Sequence, residues 1–248
     1  MNEHKFTGKA DNYDKYRPSY PDELMDWLYK NTAADTVADI GAGTGKFTAC
    51  LAQKPWSITA VEPNSDMLEK LRSNLPEVTV VQASAEDTGL AAKSFDLITV
   101  AQAFHWFDKE RFKTECQRLL KNGGRLAIVW NERSKTGFEA ERDKICMKYC
   151  GSFHSGHVFT GDSRSDGDGD SFLRNEYFTE LEYFCMDYFV PMTKDAYIGD
   201  ILSRSYALTE ADEHYEQFLT ELNTVFDKHQ KDGLVTAKYK STCYLGRL

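Results

Sequence analysis

Three glycines at alternate positions follow a short apolar run that carries an acid: Val37-Ala38-Asp39-Ile40-Gly41-Ala42-Gly43-Thr44-Gly45. A turn of this kind brings backbone close to a bound ligand, because no Cβ stands between them. A second acid, Glu62, closes the next apolar run, Ile58–Val61. In an open α/β sheet that is where an adenosine ribose presents its hydroxyls, and one carboxylate can accept from both in charge-assisted hydrogen bonds. The spacing excludes two common loops. Dinucleotide folds use G-x-G-x-x-G, and here the third glycine comes one residue early. Phosphate loops use G-x-x-x-x-G-K-[ST]; Gly45-Lys46 copies the end, but Ile40 stands at the first glycine and Phe47 at the Ser/Thr.

Other chemistry-bearing residues are fewer. His105 is the only histidine at the end of a core strand, which makes it the candidate general base, with local hydrogen bonding as the alternative. Asp166-x-Asp168-x-Asp170 imitates the start of a calcium loop, yet Ser171 replaces the required glycine and Tyr177 the closing glutamate. His154-x-x-His157 lacks helical i, i+4 spacing and further ligands, so no metal is expected. The six cysteines are widely spread without C-x-x-C and read as buried free thiols; Cys146 and Cys150 share one helical face.

The elements that must position these residues alternate along the chain. An aromatic, proline-containing arm, Tyr13 to Pro21, leads into a helix with Leu24, Met25 and Leu28 on one face. Strands are read at Val37–Ile40, Ile58–Val61, Val78–Gln82, Phe95–Ala101, Arg125–Trp130, Leu181–Val190 and Leu234–Leu245. Helices separate the first five, one of them ended by Gly123-Gly124. Strands apolar on both faces and separated by helices imply a parallel sheet covered on both sides. Later helices are read over 135–150 and 210–231, the second with Thr209 as N-cap and with Tyr215, Phe218, Leu219, Leu222, Val225 and Phe226 on one face. The expectation is a single-domain α/β protein: an arm and helix over 1–35, a ligand-binding core over 36–134, and a sheet completion with a helical cap over 135–248. The tract Asp162–Asp170 reads as a solvated loop.

Bulk properties narrow the classes. The 248 residues suffice for a sizeable core, and the net charge of −9 argues against a nucleic-acid surface. No N-terminal apolar segment and no run of about 18 apolar residues occurs, which points to a cytoplasmic protein without a membrane partner.

The glycine motif, D-x-G-x-G-x-G at Asp39, Gly41, Gly43 and Gly45, resembles motif I of the class I S-adenosylmethionine-dependent methyltransferases. Within them the chain is similar to the small-molecule branch that includes trans-aconitate methyltransferase-like proteins, over about residues 12–131. The similarity is carried also by Tyr13-x-x-Tyr16-Arg17-Pro18-x-Tyr20-Pro21, by Glu62-Pro63-Asn64 with Met67, by Ala83-Ser84-Ala85-Glu86, and by Ala101-Gln102-Ala103-Phe104-His105-Trp106-Phe107-Asp108. The resemblance implies a Rossmann-like, doubly wound, seven-stranded, mostly parallel sheet with an antiparallel last strand and a helical cap. It implies cofactor contacts from Tyr13, Tyr16, Arg17, Asp39, Gly41, Ala42, Gly43, Gly45, Glu62, Pro63, Met67, Ser84, Ala85, Glu86, Ala101 and Gln102, and a substrate pocket at His105, Trp106 and Phe107. Many relatives carry Asp where this chain has Ser84, so that contact to the adenine amino group is altered here.

The implied reaction is methyl transfer to a small-molecule acceptor, with an oxygen nucleophile such as a carboxylate. A carboxylate needs no base, whereas a phenol or amine does. A small acid would also need a cation, for which Arg17, Arg133 and Arg204 are the candidates by position. The alternatives are a non-catalytic S-adenosylmethionine-binding protein and a methyltransferase acting on a macromolecule. A D/N-P-P-Y/F motif for nucleobase amines and a Pro-Cys for pyrimidine C5 are both absent.

Overall fold

The computed structural model describes residues 10–135, 137–151 and 169–248. His154, His157 and the aspartate tract up to Asp168 lie outside the described residues. Two helices come first, α1 (Ala10–Tyr16) and α2 (Asp22–Thr32). A parallel series follows: β1 (Thr36–Ile40), α3 (Lys46–Leu51), β2 (Ser57–Val61), α4 (Ser65–Asn74), β3 (Thr79–Val81), β4 (Phe95–Ala101), α5 (Lys109–Leu119) and β5 (Leu120–Arg133). The remainder is α6 (Phe138–Tyr149), α7 (Gly169–Phe172), β6 (Thr179–Met192), α8 (Lys194–Leu202), α9 (Tyr215–His229) and β7 (Val235–Arg247).

The seven strands form one sheet in the order β3-β2-β1-β4-β5-β7-β6. The first five are mutually parallel, and β7 runs antiparallel to both β5 and β6. The chain winds outward from β1 to β3, then returns beside β1 as β4. Ligands in such sheets bind outside the strand ends at that reversal. Alternation within each strand builds a core on either face. Val37, Leu97, Ala127 and Val129 pack with Leu24 and Leu28 of α2 and Phe47 and Leu51 of α3. Ala38, Ile98 and Ile128 pack on the other face with Phe112, Cys116 and Leu119 of α5. Under the cap, Phe218, Leu222, Val225 and Phe226 of α9 meet Phe138, Cys146, Tyr197 and Tyr239.

Three expectations are corrected. The helix before β5 does not run to Gly123-Gly124 but ends at Leu119. Leu120 pairs early with Phe95 and Arg125 then pairs with Leu97, so five steps on β5 oppose two on β4, and the glycines lie in the extra length. The long cap helix starts at Tyr215 rather than after Thr209. Asp212 turns back to accept from Thr209 N and Oγ1 at 2.7 and 2.9 Å, holding a tight turn ahead of the helix. Of the cysteines, none of which forms a disulfide, Cys185 is exposed, because it sits on the solvent side of the edge strand β6. No helix among the described residues is long and apolar enough to cross a membrane.

Candidate active site

The glycine loop runs from the end of β1 into α3. Gly41, Gly43 and Gly45 all have positive φ, at 71°, 59° and 88°. A Cβ on Gly41 would come within 2.7 Å of Ala103, so the loop after β4 packs directly on it. A Cβ on Gly43 would meet nothing within 4 Å: this glycine faces open space. That space is a cleft lined by Tyr13, Gly41, Gly43, Glu62, Pro63, Asn64, Met67, Ala85, Glu86, Ala101, Gln102, Ala103, Trp106 and Phe107.

Each charged wall residue is anchored by its neighbours. Glu62 is buried; its Oε2 accepts from Gly43 N and its Oε1 from Asn64 N, both at 2.9 Å. The end of β2 is thereby locked to the glycine loop. Asn64 Oδ1 accepts from Met67 N and caps α4, which presents Met67 to the cleft. Glu86 Oε1 accepts from Asp108 N at 2.9 Å and ties the loop after β3 to the start of α5. Gln102 takes a left-handed backbone (φ 59°), uncommon for a side chain of this size, and its Nε2 donates to Asn131 O.

The structure places seven expected site residues outside this wall. Asp39 is buried beneath the loop, accepting from Thr48 Oγ1 at 2.6 Å and Thr99 Oγ1 at 2.8 Å. Burial raises its pKa to about 6, against the two hydroxyls that lower it. Ala42 and Gly45 shape the turn: Ala42 N donates to Val61 O, and Gly45 N to Ala42 O. Ser84 forms a backbone bridge with Asp87. His105 lies in a one-turn 3-10 segment, Phe104–Trp106, with its ring 4.6 Å from that of Trp106. Burial, with nearby Lys109, lowers its pKa to about 4, so it is neutral at pH 7. Tyr16 leaves the cleft for α8, where its hydroxyl donates to Asp195 and its ring fills the niche at Gly199, in which a Cβ would lie 2.2 Å away.

Arg17 is the seventh, and it belongs to a second group. Its guanidinium lies over the Tyr13 ring (4.8 Å to the centroid), and its Nε donates to Ser203 Oγ at 2.8 Å. Arg133 and Arg204 both reach Asp200 at 3.0 Å. Three guanidiniums thus surround one buried carboxylate. Burial and the neighbouring Arg204 lower the pKa of Arg17, while the arginines hold the Asp200 carboxyl well below the usual carboxylate range despite its burial. Nearby, the hydroxyls of Tyr197 and Tyr239 are buried with no hydrogen-bond partner among the described residues. The group adjoins the cleft on two sides, through Tyr13 beneath Arg17 and through Gln102 bonded to Asn131, two residues before Arg133.

Sequence reasoning missed Asn64, Ala103, Asp200 and the two tyrosines as site neighbours. Asn64 had a signal, as a cap residue immediately before Ser65-Asp66. Asp200 had a partial signal in its i,i+4 partner Arg204, but its other partner, Arg133, is 67 positions away. Among the described residues no group of three or more His, Cys, Asp or Glu side chains could hold a metal ion.

Known proteins converge on one chemistry. Residues 38–128 match the family model described as a methyltransferase domain. An uncharacterized methyltransferase of Mycobacterium tuberculosis is 36% identical over 200 residues, covering 79% of this chain and 75% of its own. A protein of Saccharomyces cerevisiae, provisionally named as an S-adenosylmethionine-dependent methyltransferase, is 28% identical over 125 residues, or 47% of this chain and 43% of its own. A solved structure from Anaeromyxobacter dehalogenans, provisionally named as a type II methyltransferase, superposes with a TM-score of 0.71 at 26% identity, covering 94% of this chain and 98% of the other. With the glycine cradle, the acid at the end of β2 and the reversed sheet order, these likenesses identify the chain as a member of the class I S-adenosylmethionine-dependent methyltransferases.

Proposed function

We propose that this methyltransferase acts on a small molecule and that the methyl group goes to a carboxylate oxygen. The cleft fits the cofactor: Gly43 leaves room where a side chain would intrude, and Glu62 stands at the ribose position with both oxygens fixed by backbone N–H groups. Bound there, S-adenosylmethionine supplies an electrophilic methyl on a cationic sulfur. Glu62 would hold the ribose hydroxyls, Met67 and Pro63 would flank the adenosine, and the backbone at Gly41 and Gly43 would receive the amino-acid portion. Tyr13 and Trp106 offer aromatic faces to the positive charge. The remaining work is alignment and exclusion of water, which falls to the arm and the loop after β4.

The observation that carries the carboxylate reading is the excess of guanidinium over carboxylate beside the cleft. Arg17, Arg133 and Arg204 converge on Asp200, with Asp143 acting more weakly on Arg133, and an anionic substrate would bring further negative charge to the three guanidiniums. An acid brings that negative charge and an already ionised nucleophile. It therefore needs no base, in keeping with a His105 that stands outside the wall.

The test is methyl transfer to a panel of small carboxylic acids, phenols and amines. Acids are expected as acceptors, with Arg133→Gln raising their KM roughly tenfold or more, the scale of a lost charged hydrogen bond, and leaving S-adenosylhomocysteine binding in place. His105→Gln should cost less than about tenfold in kcat. A loss of roughly 10²–10⁴-fold that shrinks at high pH would instead assign a phenol or amine. Transfer only to protein or nucleic acid would refute the small-molecule reading.

A further inference from the structure

The two edges of the sheet differ. β3 ends it with a strand of three residues, too short to offer much backbone to a neighbour. β6 ends it with fourteen. On its inner side β6 pairs with β7; on its outer side no strand lies among the described residues. An antiparallel strand points about half of its backbone N–H and C=O groups away from any one neighbour, so a long edge is a template for another strand.

The usual protections of an edge stand only at the ends of β6. At one end Glu180 has a φ of 48°, and the register against β7 shifts between Thr179 and Glu182. Near the other end stands Pro191, which has no N–H to donate. Between them residues 182–190 run in unbroken register, with no lysine or arginine. The acids of that stretch are already held within the chain, Glu182 by Arg125 at 2.7 Å and Asp187 by Lys238 at 2.6 Å.

The open stretch is symmetric. Its centre is Met186, and two large exposed rings, Tyr183 and Phe189, stand three positions to either side. Both lie on the exposed face with Cys185 and Asp187, while Phe184, Tyr188 and Val190 turn to the cores on the other face. The Tyr183 ring is steadied by Tyr244 and Arg174; Phe189 is 63% exposed. A two-fold axis at Met186, perpendicular to the sheet, lays β6 antiparallel to itself. Tyr183 then stands opposite Phe189 on both sides of the axis, Glu182 opposite Val190, and Cys185 opposite Asp187. Aromatic pairs face each other, and no acid directly faces an acid.

We propose that β6 is the interface of a symmetric dimer, in which a second copy of this chain adds its own β6 about Met186 and joins the two sheets into one. Such an interface is isologous, so it closes at two copies and leaves only the short β3 edges. It also backs the arm, since Tyr188 Oη donates to Ser19 O at 3.0 Å.

Sedimentation equilibrium of the full chain in reducing buffer tests it. The wild type should dimerise with a Kd on the order of 10 μM. Cys185→Asp sets an acid opposite Asp187 at two symmetric places and should weaken the dimer roughly 2- to 30-fold. Cys185→Lys sets a cation there and should leave the dimer as tight or tighter. Phe189→Ser removes one ring from each aromatic pair and should weaken it by a similar factor. These side chains are exposed, so the melting temperature of the diluted monomer should hold in each variant. A wild type that stays monomeric at about 1 mM overturns the proposal. A dimer that none of the three substitutions changes overturns it by placing the interface elsewhere. Equal weakening by Cys185→Asp and Cys185→Lys overturns the pairing about Met186.

Discussion

The two halves of the site hold charge in opposite ways. At the glycine loop, each carboxylate is held by neutral donors: Asp39 by hydroxyls 9 and 60 positions away, Glu62 by backbone N–H groups 19 and 2 positions away. Beneath the cap, guanidiniums gather around one carboxylate, mostly from distant parts of the chain. Arg17 meets Ser203 from 186 positions away, and Arg133 meets Asp200 from 67. The first half is held by hydroxyl and backbone donors from β2, β4, α3 and the glycine turn itself. The second exists only when the arm, β5 and α8 are all in place, and it leaves positive charge in excess. A common cofactor suits the first arrangement, and an acceptor that differs between relatives suits the second.

The cap side should break most sharply. Asp200→Asn strands Arg133 and Arg204 near one another without their carboxylate; removing one partner of a buried charged group costs about 3–5 kcal/mol. Chemical denaturation should show that loss, with part of it recovered when a small polycarboxylate is added. A stability unchanged within 1 kcal/mol would mean that the arginines are solvated and the contrast with the glycine side is false.

Beneath and beside the loop, two buried groups act with opposite sign in overlapping pH windows. Asp39 has a folded pKa of about 6, above its ordinary value of 3.8, so the folded state holds the extra proton and stability falls as pH rises between them. His105 has a folded pKa of about 4, below 6.5, so the unfolded state holds the extra proton and stability rises over that range. Relative to wild type, Asp39→Asn should therefore gain stability as pH goes from 4 to 6, and His105→Gln should lose it, each by up to about 3 kcal/mol. Parallel pH curves for all three proteins would count against both shifts.

The smallest of these effects belongs to ligand binding. Glu62→Ala should weaken S-adenosylhomocysteine binding by about 1.5–3 kcal/mol, read by calorimetry. Arg204→Gln should leave that affinity nearly constant. Equal losses in the two variants would join the halves into one site.

What could be read from the sequence follows the same division. Asp39, the glycines and Glu62 announce themselves because one strand, one turn and one helix suffice to place them. The strand pattern fixes the sheet because Val37, Leu97 and Ala127 alternate with Ala38, Ile98 and Ile128 between its two cores. Arginines 17, 133 and 204 could be named as cations but not grouped, since only Arg204 is near their meeting point, Asp200, in sequence; Arg133 reaches it from 67 positions away. The boundary of α9 was misplaced because a Thr-to-Asp turn and an N-cap share the same residue types. Tyr16 read as an aromatic for the cleft; only the missing Cβ of Gly199, 183 positions on, reveals where its ring goes.

Helix α1 has no buried residue among its seven, yet it reaches both halves. Asp11 pairs with Lys70 and Asp14 accepts from Asn74 on the cofactor side, while Lys15 pairs with Asp195 on the cap side. Those pairs are exposed, and exposed pairs weaken as counterions crowd around them. The buried contacts of the sheet have no such sensitivity. Ionic strength thus acts as a selective control on this molecule: it loosens the clasp that carries Tyr13 into the cleft while leaving the cradle beneath it untouched.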